Sequence, residues 1–317
     1  MRQILDALDE AENKREKPTV IIAKTTKGKG VSYAENVVSY HGVAPKDGKS
    51  GKESLDKALE DIRDPKFTQE KVDGLLKIAD AHGGISVGPD GATHQALEEI
   101  SNTYYLPNMH IAVPCDSMEI EKATEAITKI SGPAVVRYAR EATPIVTNQD
   151  TPYKFGVANI IRYRGEREDF IQAFEIKLSS KYESESEDLS IVACGPMVPE
   201  AMRAAYILKE EYGIETRIVN VHTVKPIDKE VLVRATEETG IIVAAEEHQA
   251  GGFGNIVAGI IAQGKRYDSP LLMDIVGVPD RFGESGAPWE LMKVFGLTAE
   301  HIAKRAKRLY DRKVQDH

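Results

Sequence analysis

Residues 81–95 read AHGGISVGPDGATHQ, and the rest of the chain is placed outward from this stretch. Glycines at 83, 84, 88 and 91 permit positive φ and let a ligand come close to the backbone. His82, Asp90 and His94 add three groups that donate, accept or carry charge near neutral pH. The pattern before it, FTQEKVDGLLKIAD, places Val72, Leu75, Leu76 and Ala79 on one side of a helix ending near Asp80, and a second helix is expected from about Ala96. The stretch between is therefore an ordered loop with chemistry in it. The plain alternative is a polar surface loop that happens to hold two of the eight histidines, since short motifs recur by chance.

Composition sets the outer limits. A chain of 317 residues, 41% apolar and 29% charged, is globular and long enough for two or three domains. Its formal charge of −9 argues against a nucleic-acid partner, which needs clustered Lys and Arg to neutralise phosphates. Small phosphate-bearing molecules stay open, because one or two local cations suffice. Cys115 and Cys194 are too few for a disulfide framework and lie in apolar runs, so they read as buried free thiols in a reducing, cytoplasmic setting. No apolar run reaches about 18 residues, so no membrane partner is expected.

Along the chain, MRQILDALDEAENKREK gives an amphipathic helix with Ile4, Leu5 and Leu8 on one face, and TVIIAKT a strand covered on both sides. Residues 46–64 read as a flexible Gly/Lys stretch and a short charged helix. Asp116 and Glu119 form a capping signature before a helix carrying Ile120, Ala123, Ile127 and Ile130, and Pro133 opens the strand AVVRY. KFGVANIIRYRG and FIQAFEIKL are expected to pair as an extended hairpin. The acidic SSKYESESED after them reads as a solvated linker. From Leu189 strands and helices alternate, which implies a mostly parallel sheet with right-handed crossovers, and Ala201, Ala204, Ala205 and Leu208 face its core. AEEHQAGGFGN fails as a dinucleotide fingerprint, because the third glycine position is Val257. Trp289 falls in a helix at the edge of this unit. His110 and His222 sit in strand-like runs and read as structural histidines; Arg137 reads as a surface charge on an edge strand.

The order GISVGPDGATHQ resembles the substrate-binding loop of transketolases, in the pyrimidine domain of these thiamine diphosphate enzymes. KPTVIIAKTTKGKGVSYAEN and YHGVAP, upstream, look like the end of a transketolase diphosphate-binding domain. LPNMHIAVPCDSMEIEKATEAI and GPAVVRYAREATPIV look like the remainder of the pyrimidine domain; DLSIVACGPMVPEAMRAAYIL, VHTVKPID, EEHQAGGFGN and VGVPDRFGESG look like the C-terminal domain. The resemblance implies an α/β chain laid out as the edge of a diphosphate-binding domain over 1–45, linker helices over 46–80, the second half of a pyrimidine domain over 81–146, a connecting segment over 147–188 and a C-terminal α/β domain with a mostly parallel sheet over 189–317.

The implied activity is transfer of a two-carbon ketol unit between sugar phosphates, as in the pentose phosphate pathway, with thiamine diphosphate and Mg2+ or Ca2+ as cofactors. By resemblance His41 approaches the cofactor diphosphate. His82 and Arg140 contact the sugar phosphate, Asp90 accepts hydrogen bonds from sugar hydroxyls, and His94 stands beside the reacting carbonyl as an acid/base group, so that His82 and His94 are the catalytic candidates. Three family elements have no counterpart here: the Gly-Asp-Gly metal and diphosphate segment, the glutamate that protonates the aminopyrimidine, and the aromatic wall against which that ring stacks. No metal ligand is therefore assigned, and the chain alone is expected to be inactive. Either a companion polypeptide supplies what is lacking, or the chain is a non-catalytic, truncated relative that dimerises or binds sugar phosphate; the expected assembly is a homodimer or a pair with a companion transketolase subunit. The abrupt approach to the loop also fits a chain discontinuous between Asp80 and Ala81.

Overall fold

The computed structural model describes residues 77–264 and 270–315. His41, the strand TVIIAKT and the helices expected before residue 77 lie outside the described residues. In chain order come β1 (Lys77–Ala81), α1 (Glu99–Tyr104), β2 (His110–Ala112), α2 (Ser117–Thr128), β3 (Ala134–Tyr138), β4 (Asn159–Tyr163), β5 (Phe174–Leu178) and β6 (Leu189–Ala193). There follow α3 (Met197–Tyr212), β7 (Thr216–Asn220), β8 (Thr223–Lys225), α4 (Lys229–Thr239), β9 (Ile241–Gln249), α5 (Phe253–Gly264), β10 (Leu272–Val278), α6 (Pro288–Val294) and α7 (Ala299–Gln315).

Two sheets result, ordered β1-β3-β2-β8 and β10-β9-β6-β7-β4-β5. The first three strands of one and the first four of the other are parallel, as the strand and helix alternation implies; β8 and the β4–β5 hairpin join antiparallel. β6 and β7 are buried along their full length, the signature of strands covered on both faces. Among the residues facing them, Ala201, Ala204, Ala205 and Leu208 of α3 are all buried, as their spacing predicts. Asp116 caps α2 by accepting from Glu119 N at 2.9 Å, and its other oxygen accepts from the amides of Val146 and Thr147 at 2.7 Å. One carboxylate thus starts a helix and fixes the chain leaving β3. No helix among the described residues is long and apolar enough to cross a membrane.

Three expectations are corrected. The helix drawn through Asp80 gives way to β1 over Lys77–Ala81, paired in parallel register with Ala134–Tyr138, so the junction at Asp80 and Ala81 lies inside a strand. Sheet pairing with a partner more than fifty residues away in sequence outweighs local helical spacing. Arg137 is no surface charge: β3 has neighbours on both sides and Arg137 is 1% exposed. The acidic run after β5 is exposed over residues 183–186, as a solvated linker would be, but not at its end. Its Glu187 is buried between Arg162 and Arg217, accepting from Arg217 at 2.6 Å and also pairing with Arg162 and Tyr182. Two guanidiniums inside a sheet need an anion, and this run delivers it.

Candidate functional site

Immediately after β1 the backbone turns sharply. His82 has φ 74°, a conformation that non-glycine residues adopt at a cost of about 1–3 kcal/mol and that clusters at functional sites. Gly84 N then donates to Ala96 O at 2.7 Å, closing the neck of the loop. Ile85–Asp90 forms 3-10 turns kinked at Gly88, with Ile85 and Val87 buried beneath. Gly84 and Gly88 are required as glycines: φ is 85° and 78°, and a Cβ would run into the Glu247 and Arg137 side chains at the first, and into Pro288 and Gly286 O at the second.

On the outer side, Arg140 NH1 lies 2.6 Å from Asp90 Oδ2 and donates to Val87 O at 3.1 Å. Hydrogen bonding and charge from Arg140 hold the Asp90 carboxyl below the usual carboxylate range, and His94 and His82 add their fields in the same direction. His94 Nδ1 shares a hydrogen bond with Thr93 Oγ1 at 2.9 Å. His82, Asp90, His94 and Arg140 therefore occupy one exposed lip of the loop. A guanidinium that reaches solvent there is a fork for phosphate oxygens, and the carboxylate beside it accepts from hydroxyls.

On the inner side lies a charge network that the sequence did not signal. Arg137 NH2 is 2.5 Å from Glu247 Oε1, Arg137 Nε donates to Glu99 Oε1 at 3.3 Å, and the same guanidinium bonds Gly83 O. Glu247 Oε2 accepts from Ser86 N at 3.2 Å, and His248 Nε2 sits 2.6 Å from Glu99 Oε1. Burial, reinforced by Glu99, pushes the Asp80 carboxyl up. Next door, Glu246 caps α5 by accepting from Phe253 N at 2.7 Å and Gly254 N at 2.9 Å, and burial raises its pKa as well. The one readable hint was the EEH of β9, three ionisable residues closing an apolar strand.

The two histidines in strand-like runs, His110 and His222, are structural, as expected. His110 is half-buried with Nδ1 3.2 Å from Pro133 O. His222 is buried, stacked on Tyr153 at 4.3 Å and bonded to Thr223 Oγ1 at 3.0 Å, and burial pushes its pKa down to about 3, so it stays neutral.

Residues 74–146 match the model of the transketolase pyrimidine binding domain and residues 179–302 that of the transketolase C-terminal domain. A putative transketolase C-terminal section from Methanocaldococcus jannaschii is 38% identical over 73% of this chain and 65% of its own length. A subunit of the apulose-4-phosphate transketolase of Phocaeicola vulgatus is 31% identical over 79% of this chain and 71% of its own length. The chain belongs to the transketolase family. A third relative, the 6-deoxy-6-sulfo-D-fructose transketolase subunit SqwH of a Clostridium species, is 31% identical over 75% of this chain, and the chain spans about two thirds of such relatives, 66% in this case. Among solved structures, a split-gene transketolase described as an inactive beta4 tetramer aligns with TM-score 0.64 and 28% identity over 97% of this chain and 96% of its own.

The transketolase family generally uses thiamine diphosphate with a divalent metal. The described residues do not fit that group by themselves. No set of three or more His, Cys, Asp or Glu among them is placed to hold a metal ion. Their buried carboxylates are already engaged: Glu247 and Glu99 with Arg137, Glu246 with backbone amides, and Glu119 with Cys115 N at 2.7 Å and Asn220 Nδ2 at 2.8 Å.

Proposed function

We propose that this chain is the sugar-recognising subunit of a two-polypeptide transketolase, whose companion brings the diphosphate-binding half together with the glutamate and the aromatic wall that this chain lacks, and that the assembly moves a two-carbon ketol unit between sugar phosphates. The Asp90–Arg140 pair at 2.6 Å on the exposed lip of the loop carries this reading. Arg140 takes the phosphate, Asp90 exchanges its bond to Arg140 for substrate hydroxyls, and His82 with His94 flanks the reacting end as acid/base groups. The relatives named as transketolase subunits support a division of labour between two chains. Thiamine diphosphate and Mg2+ or Ca2+ then bind where the companion meets this chain, with His41 contributing from the segment before residue 77.

A second reading is a self-associating, inactive form, favoured by the near full-length likeness to the inactive beta4 tetramer. One assay separates them. The chain alone, given thiamine diphosphate, Mg2+, a ketose phosphate and an aldose phosphate, is expected to show no transfer; addition of a companion polypeptide that carries the diphosphate-binding segment, the glutamate and the aromatic wall is expected to start it, and His94→Ala to abolish it. Transfer by the isolated chain would sink the two-polypeptide reading.

A further inference from the structure

Loop 83–95 holds itself only by short-range turns, among them Gly91 N to Gly88 O at 3.1 Å and His94 N to Gly91 O at 2.9 Å, and the 3-10 turns break at Gly88, so contacts from outside help to fix its shape. Beneath it lies Gln95, 4% exposed, whose side-chain amide donates to Ile85 O and Gly88 O at 3.3 Å and to Glu284 O at 2.8 Å. Two of these carbonyls belong to the turns that present Asp90; the third belongs to the segment between β10 and α6. That segment fits the loop closely. A Cβ at Gly283 would collide with the Gln95 amide, Pro288 and Gly286 O close on Gly88, and the Ser285 hydroxyl closes on Gly91. Val87, whose carbonyl accepts from Arg140, lies between the two loop carbonyls that Gln95 holds.

We propose that Gln95 is the positioning residue that shapes loop 83–95 against residues 283–288, and that the Asp90–Arg140 pair keeps its geometry only while this contact is intact. The C-terminal unit thereby sets the form of the lip. The link to sugar-phosphate binding rests on the function proposed above; the contact itself does not. Arg140, His94 and His82 are the charged or titratable groups that face Asp90, while Arg281 and Glu284 of the floor pair with each other at 3.2 Å. A loosened loop is therefore readable in how Asp90 titrates.

The test compares the full chain with Gln95→Met, Gly283→Ala and the double variant, by NMR titration of the Asp90 carboxyl and hydrogen exchange of the amides of residues 84–91. In both single variants the Asp90 pKa is expected to move up toward the ordinary carboxylate value, with loop exchange rising about tenfold while β6 and β9 stay protected. The double variant is expected to be no worse than the worse single, because both changes break one contact. An unchanged Asp90 titration in either variant, or additive effects, would overturn the proposal. Should Gln95→Met lose protection in β6 and β9 as well, Gly283→Ala decides, since it keeps the glutamine and displaces only its side-chain amide. Calorimetry with ribose 5-phosphate runs alongside: no binding by the unmodified chain refutes the sugar reading and leaves the loop result standing.

Discussion

Replacing Arg137 by Met removes the cation from the network under the loop and leaves two carboxylates facing each other. Arg137 and Glu247 are each 1% exposed and Glu99 13%, so water cannot take over the lost pairing. Removing one partner of a buried ion pair costs about 3–5 kcal/mol, mostly for the charge left behind. For a folded unit of this size about 2–4 °C accompanies each kcal/mol, which gives a fall in Tm of roughly 6–20 °C. Met occupies much of the arginine volume, so the loss is electrostatic rather than a cavity. Pairing Arg137→Met with Glu247→Met is then expected to recover most of the loss, to within about 2 kcal/mol of the unmodified chain, because of the two carboxylates only Glu99 remains, and it keeps His248 Nε2 at 2.6 Å. Urea unfolding followed by circular dichroism gives the energies. Exchange of the Ser86 amide, which donates to Glu247 Oε2, reports the loop itself. A single variant that loses less than about 1 kcal/mol, or a double variant as unstable as the two singles summed, would refute the account of Arg137 as a buried counter-ion.

Three further outcomes are expected. Burial raises the Glu119 carboxyl from 4.5 to about 7, so its contribution is fully present below pH 4.5 and is lost as pH rises through about 7; relative to Glu119→Gln, unfolding free energies should fall by on the order of 3 kcal/mol across that window. Glu187 has the opposite sign: although burial works against its charge, Arg217 and then Arg162 hold its carboxyl low, so its stabilisation is lost as pH falls through that lowered value. Glu187→Gln should cost about 3 kcal/mol in urea unfolding at neutral pH, a gap that narrows in acid. Arg140→Ala should weaken binding of ribose 5-phosphate, seen by calorimetry, at least about tenfold through loss of a charge-assisted fork; unchanged affinity would remove Arg140 from the site.

The strands and helices from Leu189 onward were legible because their burial is periodic or continuous and their turns are marked by Gly and Pro. The loop was legible for another reason: Gly84 and Gly88 stand where no side chain fits, and steric necessity leaves a mark in one residue type. β1 was misread because KIAD satisfies a helical spacing, and only its pairing with Ala134–Tyr138 decides otherwise. Arg137 and Glu187 of the acidic run were misread for a related reason. A charged residue in a strand looks like a solvent-facing one until its counter-ion is known, and the counter-ions of Arg137 and Arg217 lie 110 and 30 residues away at Glu247 and Glu187.

Those distant pairings bear on what the C-terminal unit does. β8 comes from the chain that follows β7, yet it pairs with β2 in the other sheet, with Ile111 opposite Lys225 and Ala112 opposite Thr223. Glu247 of β9 reaches Ser86, and Glu284 O receives the Gln95 amide. Loop residues Ser86 and Gln95 are thus held by residues from beyond 220. Both contacts use buried or partly buried polar groups, which cost more to break than exposed ones because little water replaces the lost partner. The loop should therefore unfold with β9 and β10 rather than before them. A polypeptide that keeps this loop in shape must keep the C-terminal unit with it, whereas the parts of a transketolase that hold diphosphate and metal can reside on another chain without loosening Asp90 or Arg140.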